Sequence, residues 1–170
     1  MHSNFFFLNG RALRVAVASA MAVAGANAHA DGTASIPVTA SVRNTCSISA
    51  TAMAFGVYNP VTKIALNIEG AVTVTCTPGF TTPVLLDMGL HASGTDPAVP
   101  LRRMMNAAGN FLEYQIYKEP ARTTPWEGVT GVSHVGSGSP IDHPMYGRVH
   151  ASQSPQVGSY TDTVIATVIF

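Results

Sequence analysis

The chain has 170 residues, with nine basic and nine acidic side chains, and only 11% of its residues are charged while 46% are hydrophobic. A formal net charge of zero argues against nucleic acid or an anionic membrane as partner, since both need a basic patch. Charge this sparse is low for a soluble monomer, and it predicts that neighbouring molecules cover part of the apolar surface.

In chain order, residues 1–30 read as a secretory signal. Arg11 and Arg14 supply its positive charge, Leu13 to Gly25 its short apolar core, and Ala28-His29-Ala30 the small residues before cleavage. Cleavage after Ala30, or alternatively after Ala28, leaves a chain that starts near Asp31 and has the length of one domain. Seven basic residues then face nine acidic ones, a net charge of −2.

Thr33 to Val42 follows, TASIPVTASV. Ala34, Ile36, Val38, Ala40 and Val42 share one parity and Ser35, Pro37, Thr39 and Ser41 the other, the period of a strand with one apolar face. Pro37 has no N–H and suits an edge position, and no turn dipeptide folds the segment back on a neighbour. The expectation is a strand that pairs with another molecule.

Thr45 to Ala50 continues the alternation, and Phe55 to Pro60 breaks it with turn chemistry. Lys63 to Ile68 and Ala71 to Thr77 read as two strands separated by Glu69-Gly70, and Pro83 to Leu90 as another. His91 to Pro100 reads as loop, Leu101 to Asn106 and Phe111 to Tyr117 as strands. Lys118 to Pro144 reads as mostly loop anchored by Trp126, and Met145 to Ala151 as a short strand. Tyr160 to Phe170 is the strongest strand pattern. Tyr160, Val164, Ala166, Val168 and Phe170 share one parity, while Ile165 and Ile169 make the other face apolar as well. No segment after residue 30 has helical period over ten residues. The fold class is therefore all-β, a two-sheet sandwich.

With no later strand to cover it, the apolar edge of Tyr160 to Phe170 is a hazard that needs protection. Thr33 to Val42 of the next molecule would provide it, giving main-chain hydrogen bonds and alternate side chains in pockets. Head-to-tail donation does not close on itself and yields an open polymer. Cys46 and Cys76 are in phase with apolar neighbours, and in an exported chain such a pair is most simply a disulfide. Two buried free thiols are the alternative.

These residues match a family pattern. The carriers are VRNTCSISAT around Cys46, FGVYNP at Phe55 to Pro60, VTVTCTPG around Cys76, and LRRMM at Leu101 to Met105. LEYQIYKEPARTTPWEG with Tyr114, Tyr117 and Trp126 follows, then MYGRV around Arg148 and GSYTDTV at Gly158 to Val164. As an ordered set the chain resembles the spore coat protein U group, whose members include subunits of archaic chaperone–usher pili of the Csu type. The segment His134 to Pro144 does not align with that pattern. The resemblance implies an incomplete immunoglobulin-like β-sandwich with one disulfide, completed by a donor strand from a neighbouring subunit. It implies a periplasmic chaperone and an outer-membrane usher as partners, other subunits as polymer neighbours, and no cofactor. Residues 31–44 would be the donor segment and 45–170 the sandwich domain. Ala34, Ile36, Val38, Ala40 and Val42 would plug the groove, with Val164, Ala166, Val168 and Phe170 as acceptor edge and chaperone-binding strand. With room for one domain, the chain would be a shaft or adaptor subunit, with a secreted spore-coat-like structural protein as the alternative.

Catalytic and metal readings have less to stand on. His91, His134, His143 and His150 form no tight His-x-His pair, suit no common ligand spacing, and read as surface loop histidines. No G-x-S-x-G elbow accompanies Ser133-His134, and no catalytic residue is assigned. Trp126 reads as an anchor rather than a glycan platform. Arg102 and Arg103 read as one inward side chain on a carboxylate and one outward in water. Asp162, if buried, needs Arg148 or a backbone donor as partner.

Overall fold

A computed structural model describes residues 31–170; the signal peptide expected over residues 1–30 lies outside the described residues. The body runs Ala40–Phe170. Its strands are β1 (Cys46–Ala50), β2 (Leu66–Cys76), β3 (Thr81–Leu86), β4 (Arg103–Met105), β5 (Phe111–Tyr117), β6 (Val132–Val135), β7 (Ile141–Val149) and β8 (Ala166–Val168). They form a five-stranded sheet in the order β1-β2-β7-β5-β4 and a three-stranded sheet in the order β6-β3-β8. No helix occurs among the described residues, and the two sheets make the all-β sandwich that the sequence pattern predicts.

Period-two patterning builds the core. Val72, Val74 and Cys76 on β2, Val84 and Leu86 on β3, and Met145 and Val149 on β7 are all buried, while the residues between them are more exposed. Trp126 is fully buried and donates its Nε1–H to Val84 O at 2.8 Å, while its backbone N donates to Ile116 O at 2.8 Å. It thereby ties β5 to β3, an anchor in the apolar core with its one polar atom satisfied.

Several expectations are corrected. Lys63 to Ile68 and Ala71 to Thr77 are not separate strands, because β2 runs unbroken through Glu69 and Gly70 against β7, from Leu66↔Val149 to Val74↔Ile141. Gly70 is there for space rather than for a turn: a Cβ would lie 2.8 Å from Thr51 Oγ1 and 3.2 Å from Met145 Cε. The loop expected over Lys118 to Pro144 contains β6 and the first residues of β7. Thr33 to Val42 has no regular secondary structure within the single chain and is exposed, which is no correction of a strand expected to pair with another molecule: a strand is defined by a hydrogen-bonded neighbour, and among the described residues this segment has none. Tyr160 to Phe170 yields only the three residues of β8 and an isolated bridge at Thr161.

The disulfide is present. Cys46 and Cys76 face each other in the β1–β2 register and are bonded, closing a span of 30 residues. On the chain-entropy account, a loop of that size is worth about 3.5 kcal/mol.

Candidate functional site: an apolar groove beside β8

The stretch Tyr160–Val168 joins the two sheets. Thr161 exchanges backbone hydrogen bonds with Met105 of the large sheet at 2.9 and 3.1 Å. Further on, Thr163 O accepts from Leu90 N at 3.2 Å, and Ile165 O accepts from Asp87 N at 3.0 Å. Ile165 N in turn donates to Asp87 Oδ1 at 2.9 Å, and Ile169 O accepts from the Thr82 hydroxyl at 2.8 Å. Every one of these bonds uses an odd-numbered residue. Because successive backbone groups of a strand point to opposite sides, the N–H and C=O of Val164, Ala166 and Val168 face the other way. Among the described residues no strand pairs with that edge.

Beside the unpaired edge lies a cavity of about 390 Å³. One wall is Tyr160, Asp162, Val164 and Ala166, and the other is Ala50, Thr51, Met53 and Phe55. The floor is Val72, Leu86, Ile116 and Met145, with Met104 and Tyr114 beside them. A second cavity of about 570 Å³ shares Met53, Phe55, Met104 and Tyr160 with the first and continues it towards Val57, Pro60 and Val157. The far wall packs against the sheet because β2 and β7 carry glycine beneath it: a Cβ on Gly147 would lie 2.6 Å from Met53 Cε and 2.9 Å from Phe55 Cζ.

One carboxylate lines the groove. Asp162 Oδ2 accepts from the Tyr114 hydroxyl at 2.7 Å and Oδ1 from Leu90 N at 2.9 Å. Its partners are therefore a phenol and a backbone amide, and Arg148 instead donates to Asn67 Oδ1 at 3.0 Å. Burial first, and then the Asp162 carboxylate, push the Tyr114 hydroxyl far above its ordinary value, so it stays a donor at every physiological pH.

Val164 and Ala166 line the groove, Val168 packs half-buried against the core, and Phe170 is 64% exposed. Even-numbered positions from Tyr160 to Val168 are half-buried and odd-numbered ones exposed, as the parity predicts, although Ile165 and Ile169 face solvent rather than a second covered layer. On the N-terminal segment, Ala34 and Ala40 are exposed, and Ile36, Val38 and Val42 are 83–89% exposed. Sequence reasoning missed the wall at Thr51, Met53 and Phe55 because residues 51–55 lie outside the strands, and it missed Met104 and Met145 because their strand period does not reveal that they face the groove.

Other expectations change more. Arg102 is 1% exposed but meets no carboxylate. It donates to the carbonyls of Leu86, Asp87 and Trp126 and to Gln115 Oε1. Burial, partly offset by Tyr114 and nearby carboxylates, lowers its pKa to about 10, and it remains charged at neutral pH. Arg103 does not end in water either. It donates to the His91 and Ala92 carbonyls and lies 3.9 Å over the Phe111 ring. His134 and His143 are buried in mutual contact instead of standing on surface loops.

The groove can take an extended chain: it offers unpaired main-chain groups along one side and an apolar floor for alternate side chains. The comparisons agree with this architecture. The chain is 38% identical over 138 residues to "Protein U" of Myxococcus xanthus, covering 74% of this chain and 77% of that one. Its fold is similar to a chain in the crystal structure of the CsuC–CsuE chaperone–tip adhesion subunit pre-assembly complex from archaic chaperone–usher Csu pili of Acinetobacter baumannii. The TM-score is 0.56 at 21% identity, over 76% of this chain and 40% of that one. That likeness is one of fold, and this chain spans less than half of the neighbour's length. A family model for the Spore Coat Protein U domain matches residues 32–167, and on this match the chain belongs to that family.

Proposed function

We propose that this chain is a structural subunit of a surface pilus, exported through the periplasm and assembled by donor-strand exchange with a chaperone and an outer-membrane usher. The observation that carries the reading is the pairing of an unfilled apolar groove along the free edge of β8 with an exposed, strand-patterned segment at residues 33–42. Residues 31–44 are the donor segment and 45–170 the receiving domain, after removal of residues 1–30. Ala34, Ile36, Val38, Ala40 and Val42 enter the groove of the next copy, whose Val164, Ala166 and Val168 supply the main-chain partners, with Phe170 at the end of the edge. Before subunits join, a chaperone strand occupies the same edge.

Ile36, Val38 and Val42 are 83–89% exposed, and burying each is worth about 1.5–3 kcal/mol. The gross gain is roughly 5–9 kcal/mol before ordering and association costs. Surface filaments of this kind serve adhesion or biofilm formation, and the reading is structural rather than catalytic. A second reading, a secreted coat-like structural protein of the same fold, draws on the 38% identity to Protein U.

The double variant Ile36→Asp/Val38→Asp tests the donor assignment. The subunit is expected to fold with its chaperone and to yield no filaments by electron microscopy. Filaments of normal length and number from that variant would refute it.

A further inference from the structure

Among the described residues one buried side-chain polar atom has no hydrogen-bond partner, His134 Nε2. The other nitrogen of the same ring, Nδ1, lies 2.9 Å from His143 Nε2, with ring centroids 5.1 Å apart and planes at 67°. The two residues are 1% and 9% exposed. His134 is on β6 and His143 on β7, so the contact crosses from one sheet to the other. The cross-strand neighbours are Thr82 on β3 and Val72 on β2, neither of them titratable. The charges acting on His143 are those of His134 and Asp142, and Asp142 accepts from the Thr73 hydroxyl at 2.6 Å.

A nitrogen–nitrogen approach of 2.9 Å needs one donor and one acceptor. If neutral His143 donated, the His134 proton would sit on Nε2, a buried N–H with nothing to receive it, which is the rarer and costlier defect. The favoured neutral form therefore has His134 Nδ1–H donating to His143 Nε2, with a bare lone pair at His134 Nε2. One added proton leaves a donor and an acceptor at the contact. A second makes both facing nitrogens donors and sets two like charges against each other away from water. Burial first, and then the charge of His134, hold His143 below the ordinary imidazole range, against the opposing pull of Asp142.

We propose that the His134–His143 pair is an acid-sensitive latch between the two sheets, joining them while it holds at most one proton and releasing them when it takes a second. Above the ordinary imidazole value of about 6.5 its contribution is fully present. As the pH falls below that value the unfolded chain binds protons that the folded pair refuses, and stability is lost by about tenfold in the folding constant per pH unit for each refused proton. β6 bonds β3, and β3 carries β8, so acid loosens the sheet that bears the free edge. That last consequence rests on the proposed function, whereas the latch does not.

The test is unfolding of the purified full chain by urea from pH 8 to pH 4.5 in the Ile36→Asp/Val38→Asp background, where polymer formation does not mask monomer stability, with and without His134→Gln/His143→Gln, which keeps neutral hydrogen-bonding side chains at both positions. The chain that keeps both histidines is expected to lose stability more steeply below about pH 6.5 than the histidine variant. Equal slopes would overturn the proposal. If the variant does not fold, C2 hydrogen–deuterium exchange of the wild-type imidazoles, read by mass spectrometry, decides. His143 is expected to titrate at lower pH than histidine in an unstructured peptide, and titration at the peptide's value would refute the latch. A failure of strand exchange would appear in filament assays and leave both readouts unchanged.

Discussion

Arg102 is the side chain whose loss should disturb the receiving edge from furthest inside. Its guanidinium reaches Asp87 O from Nε at 3.0 Å, Leu86 O at 3.3 Å and Trp126 O at 2.8 Å from Nη2, and Gln115 Oε1 at 2.6 Å from Nη1. Asp87 then holds Ile165 through its backbone N and its Oδ1, one residue from Val164 and Ala166. Arg102→Met keeps much of the stem volume and removes every donor. Gln115 Oε1 retains the Ile116 N–H at 2.9 Å, and solvent can reach the exposed Asp87. The Leu86 and Trp126 carbonyls are left without this donor in a dry site, at about 1–3 kcal/mol each. Relief of the guanidinium's desolvation offsets part of that, for a net loss of about 2–4 kcal/mol. Lysine keeps the charge but not the fork, and Arg102→Lys should recover less than half. The assay is urea unfolding in the Ile36→Asp/Val38→Asp background, so that polymer formation does not mask monomer stability. A loss under about 1 kcal/mol for Met, or a Lys variant equal to wild type, would refute the reasoning.

Three further outcomes are expected. Cys46→Ser should cost about 3 kcal/mol and lower the periplasmic yield, and unchanged yield and melting temperature would show that the bond is not structural. Tyr114→Phe removes the donor to Asp162 Oδ2 and should cost about 1–3 kcal/mol; because Asp162 lines the groove, binding of a peptide spanning residues 31–44 should weaken too, as calorimetry would read. Burial alone would raise the pKa of Glu127, but hydrogen bonds from Lys118, Thr130 and Val129 hold it well below the carboxylate range. Its contribution is therefore full above the ordinary value near 4.5 and lost as the pH falls. Glu127→Gln should destabilise the chain at pH 7 and less at pH 3; an equal effect at both would contradict the assignment.

The fold class was legible because alternation is strong where one face is buried. Phe111 to Tyr117 was bounded correctly, since its parity is clean and turn residues flank it. Gly70 and the Gly/Ser/Pro-rich approach to β7 were misread because a glycine that makes room for a packed neighbour looks in sequence like a glycine that turns the chain. The parity of Tyr160 to Phe170 was legible and its strand length was not, since strand length depends on a partner, and among the described residues this stretch has ladder or bridge pairing with β3 and Met105 alone, with single backbone bonds from Asp87 and Leu90 between them. The groove was half legible: Val164 and Ala166 stood out by parity, whereas Met53 and Phe55 reach it from an irregular segment held over Gly147. The partners of Arg102 were misassigned because charge pairing is the obvious guess for a buried charge, and for Asp162 the expected backbone donor is present, at Leu90 N, while Arg148 is not its partner. Here carbonyls, an amide and a phenol do that work, and sequence does not reveal which of them come together.

The central claim is that residues 33–42 fill the groove of another copy. Its most direct measurement compares the secreted full chain with one lacking residues 31–42, by size-exclusion chromatography and electron microscopy. Linear, heat-stable polymers from the full chain and none from the shortened one are the predicted result. Well-behaved monomers of equal stability from both would contradict it.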